Sequence, residues 1–293
     1  MGNIFLYILS ALITLFTIFL IVVYIKSDLL KSYPCYFNLY FCFIITFDNV
    51  LRLIPADKNQ DANNPNAWCK AQAFILSTFD KLFVISITSF SIINYIIMIN
   101  MEFYVKYTGK IYILSVIISI CLSIILTTLF FVQGISKSSL KDSFCYVKTS
   151  GNIKIITDTI FTCILLLIDL FCLSRILITI SNYIKKYESE GNQLNKKKMK
   201  NHFWRFLLDL FLNIITFGFL ILLIIKKLPF PENKRFLKDS IYIILCFACE
   251  LFFTINGQSY RAIMNIITCN RVEKYKNPQN LLQPTHEEED NED

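Results

Sequence analysis

Long apolar segments alternate with short polar segments along nearly the whole chain. Seven of the apolar segments have roughly the 20 residues that a helix needs to cross a hydrocarbon core about 30 Å thick. They cover residues 4–25, 36–54, 69–99, 111–132, 153–184, 206–225 and 240–267. We therefore predict an all-α membrane protein whose seven transmembrane helices form one bundle over residues 1–267. Residues 268–293 are rich in Asp and Glu and predict a disordered cytosolic tail.

The first apolar segment has two interpretations, an uncleaved transmembrane helix or a secretory signal peptide. Its apolar run is longer than that of a signal peptide, no Lys or Arg precedes it, and no small-residue cleavage site follows. These features favour the uncleaved helix.

The composition supports a membrane protein. Of the 293 residues, 55% are hydrophobic and 17% are charged, whereas about a quarter are charged in a soluble domain. A transmembrane β-barrel would instead show short segments of alternating hydrophobicity. The net charge of +7 comes from basic residues between the apolar segments, a pattern typical of membrane proteins. We therefore expect a lipid bilayer, and no nucleic acid, as a partner.

The basic residues of the loops predict an orientation. In a seven-span protein the first, third and fifth loops and the tail share one side. That side has somewhat more Lys and Arg than the other, mainly because of the fifth loop, residues 185–205. Cytoplasmic loops carry an excess of basic residues. The bias therefore predicts a cytosolic C-terminus and an N-terminus outside.

Two stretches of sequence are similar to a receptor superfamily. Residues 69–74 read CKAQAF, with a Cys at the head of the third span, and residues 38–53 read NLYFCFIITFDNVLRL. Together with seven spans, they resemble G-protein-coupled receptors, closest to the cAMP-receptor-like proteins of slime moulds and related orphan receptors. The resemblance implies a multi-pass protein of the plasma membrane that binds an extracellular ligand and signals to a heterotrimeric G protein.

Three features differ from rhodopsin-like receptors. The third span ends in NMEFYVKY, with no Asp/Glu-Arg-Tyr motif, the seventh has no Asn-Pro-x-x-Tyr motif, and the sixth has no proline. We therefore expect a receptor outside the rhodopsin-like group. Coupling to a G protein is implied by the resemblance alone.

The resemblance also implies a disulfide between Cys69 and Cys145, from the head of the third span to the loop after the fourth. Both residues lie on the same side of the predicted bundle, and a lasting disulfide needs an oxidising compartment. The disulfide and the charge bias therefore agree on which side is outside. The alternative is two unrelated free thiols.

Ionisable residues inside the spans are candidates for function, because such residues are costly in hydrocarbon. We expect Asp80, Lys81, Asp158 and Glu250 to line a pocket for a cationic or polar ligand. The alternative is structural, with internal pairs among Asp48, Arg52, Asp80 and Lys81 that hold the second and third spans together. Asp48 and Arg52 are four residues apart and therefore share a helix face.

A second candidate pair connects the fifth and sixth spans. Arg175 and Asp209 lie in the inner halves of these spans, and their pairing would form a latch for an inactive state. A static contact between the two helices is the alternative. Asp169 lies eleven residues after Asp158, almost three full turns, so both carboxylates share one face of the fifth span.

Basic residues and one cysteine are candidates on the cytosolic side. Lys106, Lys196, Lys197, Lys198 and Lys200 could contact a G protein, and the same residues would also attract anionic lipid. Cys269 follows the seventh span, so it is either a palmitoylation site or a plain free thiol.

Other classes of protein fit the sequence less well. A seven-span zinc hydrolase needs several metal ligands, usually His, and the chain has 2 histidines. We expect no enzymatic activity, no metal and no cofactor. The second interpretation is a transporter or channel component, in which Asp80, Lys81, Asp158, Asp169 and Glu250 form an ion path. A third is a structural or trafficking protein without a ligand.

Overall fold

The computed structural model describes residues 2–27, 30, 33–54, 67–132, 136–139, 145–149, 152–224 and 235–254. These residues form seven α-helices and a two-stranded hairpin. The elements are α1 (Gly2–Lys26), α2 (Tyr33–Leu53), α3 (Ala67–Ile99), α4 (Met101–Val132), β1 (Ser136–Ser139), β2 (Tyr146–Thr149), α5 (Asn152–Ser189), α6 (Gln193–Ile224) and α7 (Arg235–Thr254).

Five of the helices are long and apolar enough to cross a membrane. The five segments are Tyr7–Lys26, Ala67–Ile99, Lys106–Leu129, Asp158–Ser189 and Gln193–Leu222, and Ser240–Cys249 is a shorter apolar stretch in α7. This arrangement confirms the helical class and is consistent with a multi-pass membrane protein. Seven crossings and their orientation stay predictions.

The surface of the bundle is apolar while several small polar side chains are buried. Leu12, Ile113 and Leu167 are more than half exposed. Ser119, Ser123 and other hydroxyl residues are fully buried. In a bilayer, apolar side chains can face lipid, and small polar residues let helices approach closely and hydrogen-bond to each other. Such a bond joins α1 to α2, where Thr46 Oγ1 donates to Thr17 Oγ1 at 2.7 Å.

Helix α3 lies at the centre of the bundle. It contacts α2, α4, α5 and the hairpin, whereas α7 closes the other side against α1, α2 and α6. In the most apolar stretch of α3, 50% of the residues are buried, whereas the share is 22% in the corresponding stretches of α4 and α6. The polar side chains that project from α3 therefore meet partners from most of the other helices.

The predicted loop at residues 185–205 is wrong, because nearly all of it is helical. Helix α5 runs to Ser189 and α6 begins at Gln193, so only three residues connect them. Gly191 has φ 73°, a left-handed conformation that suits glycine, and the Asn192 side chain accepts a hydrogen bond from the Asn195 backbone N–H at 3.1 Å. The basic residues therefore lie on two helix ends that form a helical hairpin.

A second predicted loop is also shorter than expected. Helix α4 begins at Met101, ten residues before the predicted start of the fourth span, and only Asn100 separates it from α3. The Asn100 side chain accepts a hydrogen bond from the Phe103 backbone N–H at 3.0 Å and so caps α4. Lys106 consequently lies on a helix.

The polar segment after α4 contains the one departure from an all-helical fold among the described residues. Strands β1 and β2 pair antiparallel, with Ser136 opposite Thr149 and Ser139 opposite Tyr146. The hairpin lies against α3. Cys145 immediately precedes β2, so it fixes the hairpin at the end of the bundle where α3 begins. We call this end the disulfide end.

Candidate functional site

A disulfide joins Cys69, in the first turn of α3, to Cys145, as predicted. The S–S distance is 2.03 Å and the Cα atoms are 5.2 Å apart. Both cysteines are fully buried, next to Ala73 and Phe131. The bond closes the connection between α4 and α5 onto the head of α3.

Gln72 connects the same region to α2. Its Nε2 donates hydrogen bonds to the carbonyl oxygens of Leu51 at 2.9 Å and Ile54 at 2.8 Å. Its Oε1 accepts a hydrogen bond from the Cys145 backbone N–H at 2.9 Å. The last carbonyls of a helix have no partner within the helix. The fully buried Gln72 side chain therefore supplies hydrogen bonds to the last carbonyls of α2 and also holds the backbone at Cys145.

Below the disulfide, an arginine bridges two carboxylates. Arg52 Nε donates to Asp48 at 2.9 Å within α2, and an Arg52 terminal nitrogen donates to Asp80 of α3 at 3.1 Å. The Arg52 side chain is 6% exposed, so the pair lies in the interior. Asp48, Arg52 and Asp80 are thus paired and join α2 to α3, as in the structural interpretation, whereas Lys81 takes no part in these pairs.

Helix α7 completes this group through Tyr242. Its hydroxyl donates to Asp80 Oδ1 at 3.0 Å, and the Arg52 guanidinium lies over its ring, 5.7 Å from the centroid. We call Asp48, Arg52, Asp80 and Tyr242 the disulfide-end cluster. The Asp80 side chain is nevertheless 45% exposed. The Asp80 carboxylate is therefore held by two donors and is still partly accessible.

Lys81 and Asp158 lie near Asp80. Lys81 Nζ donates to Ser77 Oγ at 3.0 Å, and the carboxylates of Asp158 and Asp80 both act on its charge. Lys81 is partly buried, as is Asp158. Three of the four predicted pocket residues are therefore close enough to interact. The fourth, Glu250, lies in α7, but its side chain is outside the described residues.

A second polar group lies further along α3. Ser91 Oγ donates a hydrogen bond to Asp169 Oδ1 of α5. On α6, Asn213 Nδ2 donates to Asp209 Oδ1 at 3.3 Å, and the same side chain interacts with Asp169. These four side chains are at most 2% exposed. We call Ser91, Asp169, Asp209 and Asn213 the acid cluster.

The predicted pair between Arg175 and Asp209 is not formed. Arg175 is exposed on α5, whereas Asp209 is buried and 2% exposed. The basic side chain that acts on Asp209 is Arg205, one turn earlier on α6. The prediction failed because Arg175 lies on an exposed face of α5, whereas Asp209 lies in the interior.

The predicted basic surface lies at the end of the bundle opposite the disulfide. Lys197, Lys198 and Lys200 are exposed in the first two turns of α6, and Lys106 is exposed in α4. Lys196 pairs with Glu188 across the connection between α5 and α6. Cys269 and the predicted tail lie outside the described residues.

Several partners in these clusters were not predicted. Gln72 was noted in the CKAQAF stretch without a role, and nothing in the local sequence singled out Tyr242, Ser91 or Asn213. One signal was present, because Ser91 follows Asp80 by the same eleven residues that separate Asp169 from Asp158. Equal spacing on α3 and α5 places two polar levels on each helix, about 16 Å apart.

Comparisons with known proteins add no family to this description. No protein-family model matches the chain, and no similar sequence is found among curated proteins. Within the described ranges, no group of three or more His, Cys, Asp or Glu side chains could hold a metal ion. The fold is that of a helical protein, consistent with several membrane crossings, with a disulfide at one end, a partly exposed polar cluster near it and a buried one further along.

Proposed function

We propose that the chain is a seven-helix membrane receptor that binds an extracellular ligand near the disulfide end and signals to a cytosolic G protein. The observation that carries this proposal is the Cys69–Cys145 disulfide above a half-exposed Asp80. The disulfide favours an oxidising environment for this end of the bundle. The carboxylate below it is fixed by two donors but remains open to a ligand.

The charged side chains around Asp80 favour a ligand with a cationic or polar group. Asp80 presents a carboxylate, and Lys81 next to it presents an ammonium group that interacts with Asp158. A ligand cation would pair with a carboxylate, and a ligand anion would pair with Lys81. Because Arg52 and Tyr242 already hold Asp80 Oδ1, the carboxylate is oriented before a ligand arrives.

The opposite end offers a surface for the G protein. The short turn at Gly191 joins the end of α5 to the start of α6, and exposed lysines follow on α6. α5 has 38 residues, about 57 Å at 1.5 Å per residue, nearly twice the thickness of a hydrocarbon core. The helical hairpin would therefore extend beyond the membrane into the cytosol, where Lys197, Lys198 and Lys200 could meet an acidic partner or anionic lipid.

A topology measurement tests the orientation. One epitope tag is placed before Met1 and another after Asp293, and antibodies are applied to intact and to permeabilised cells. We expect the first tag to be labelled on intact cells and the second only after permeabilisation. Labelling of both tags on intact cells would exclude an odd number of crossings, and with it the seven-helix receptor.

Nucleotide exchange tests the receptor activity. Membranes that contain the chain and a co-expressed heterotrimeric G protein are screened with small cationic and zwitterionic compounds, and binding of a non-hydrolysable GTP analogue is measured. Asp80→Asn should abolish the response to an active compound, whereas Arg175→Gln should retain it. Exchange that never exceeds that of membranes without the chain, across each G-protein class, would contradict the proposal.

One observation favours the second candidate, an ion transporter or channel component. Asp80 and Asp158 form one polar level of the bundle and Asp169 with Asp209 another. In liposomes that contain the purified chain alone, this function predicts ion flux or current without any G protein. The receptor predicts none, so the assay separates the two functions.

A further inference from the structure

The acid cluster places two carboxylates in the interior with little to balance them. Asp169 of α5 and Asp209 of α6 interact with each other, and both are nearly inaccessible to solvent. The groups that act on Asp169 through hydrogen bonds are Ser91 and Asn213, which are neutral. Arg205 attracts Asp209 from one turn away. With both acids ionised, one negative charge therefore remains uncompensated.

Two oxygens of this cluster also lack a hydrogen-bond donor among the described residues. They are Asp169 Oδ2 and Asn213 Oδ1, both fully buried. The large majority of buried polar atoms in proteins have a partner, so each exception requires an explanation. Both unpaired atoms are acceptors, so a hydrogen-bond donor or a cation would complete the cluster, and the uncompensated negative charge favours the cation.

We propose that the acid cluster binds a small monovalent cation, with Na⁺ as the ion to test. Hard cations take oxygen ligands. The carboxylates of Asp169 and Asp209, the Asn213 carbonyl oxygen and the Ser91 hydroxyl oxygen supply four such ligands from three helices. One positive charge completes the balance. A divalent ion would leave the site with excess positive charge and has no third acidic ligand within the described ranges.

The arrangement of the helices also provides a direction of approach. Ser91 and Asp169 lie eleven residues beyond Asp80 and Asp158 on the same faces of α3 and α5, about 16 Å further into the bundle. Asp80 is the half-exposed carboxylate nearer the disulfide end. A cation that enters there would meet one acidic level before it reaches the buried one. Since cation binding needs neither ligand nor G protein, this proposal does not depend on the receptor activity.

Thermal unfolding of the purified full chain in detergent tests the site. The midpoint is measured in NaCl, KCl and choline chloride at one ionic strength and one pH. Because a ligand that binds only the folded state stabilises it, Na⁺ at about 100 times its Kd should raise the midpoint by about 4 °C over choline. Binding of radioactive Na⁺ to the immobilised protein gives a second readout that does not depend on unfolding.

Variants locate the effect. Asp169→Asn and Asp209→Asn should each abolish both the shift of the midpoint and the binding of Na⁺. If either variant fails to fold, Ser91→Ala takes its place and should reduce both. Asp158→Asn is the matched control, because it removes a carboxylate from the same face of α5 but not from the cluster, and it should retain the shift.

Three outcomes would overturn the proposal. The first is an equal midpoint in all three salts with no bound Na⁺, and the second is a shift that Asp158→Asn and Asp169→Asn reduce equally. The third is a midpoint that changes with pH and not with Na⁺, which would indicate that a proton occupies the cluster instead.

Discussion

The disulfide-end cluster and the acid cluster lie on the same face of α3, yet they balance their charges differently. In the first, Arg52 lies between Asp48 and Asp80 and donates to both. In the second, Asp169 and Asp209 interact with each other, and no described cation donates to both. The comparison indicates that the chain itself balances the charges of the first cluster, whereas the described residues leave those of the second only partly balanced.

Exposure separates the two clusters in a second way. The Asp80 side chain is 45% exposed, whereas Asp169 is completely buried. An exposed carboxylate can exchange partners with a ligand at low cost, because water replaces whatever leaves. A buried one must keep a partner at all times. This difference is consistent with the two proposals, in which a ligand contacts Asp80 of the first cluster and an ion stays in the second.

Removal of Arg52 should give the largest effect. Arg52→Ala leaves Asp48 and Asp80 without their shared cation, and breaking a buried ion pair at one partner costs about 3 to 5 kcal/mol. We expect the free energy of unfolding, measured by denaturation from mixed micelles, to fall by this amount. Arg175→Ala is the control, because Arg175 is exposed. The double variant Arg52→Ala/Asp48→Asn should recover part of the loss, and a double variant as unstable as the single one would contradict the charge explanation.

Tyr242→Phe should weaken the same cluster less. The substitution removes one hydroxyl donor from Asp80 Oδ1 but keeps the ring beneath the Arg52 guanidinium. A hydrogen bond to a charged group contributes about 1.5 to 3 kcal/mol, and the lower end applies here because water can reach Asp80. Tyr183→Phe, at an exposed position, should have no effect. If Tyr242→Phe costs the same in an Asp80→Asn background, the hydrogen bond is not its cause.

The sequence predicted the large-scale organisation well where the pattern was strong. The apolar run at residues 69–99 became α3, with two residues added at its start, and the cysteines formed the implied disulfide. The prediction failed where charge was interpreted as a loop. Residues 185–205 contain many lysines, but Lys is a good helix former, and a helix that leaves the membrane can continue in water. Charge therefore indicated exposure to water and not the end of a helix.

The partners of the clusters could not be predicted because they are brought together only by packing. Gln72 bonds to two carbonyls about twenty residues earlier and to an amide 73 residues later. Tyr242 reaches Asp80 across 162 residues. The sequence identified the ionisable members, because charge in an apolar segment is conspicuous. It did not identify neutral partners, since Ser, Asn, Gln and Tyr are common in membrane helices and carry no distinct local pattern.

The acid cluster should respond to neutralisation in the opposite direction from the disulfide-end cluster. Asp169→Asn removes one of two facing carboxylates and places an amide donor where Oδ2 had no partner. In choline chloride, without Na⁺, we expect the free energy of unfolding to rise, because the substitution removes a buried charge that lacks a full counter-charge. Asp48→Asn is the comparison and should destabilise, because it removes an acceptor from Arg52. Destabilisation by both variants would show that the two clusters are alike.

The smallest effect is expected at Arg175, and it distinguishes the two possible partners of Asp209. Arg175→Gln should leave both the midpoint of unfolding and its Na⁺ dependence unchanged, because this side chain is exposed and does not reach Asp209. Arg205→Gln should instead strengthen the dependence on Na⁺, because it removes the positive charge that acts on Asp209 and leaves the cluster more negative. Equal behaviour of the two variants would mean that Arg205 does not contribute to the charge balance. The net charge of the cluster would then be that of Asp169 and Asp209 alone, and the argument for a monovalent ion would lose its basis.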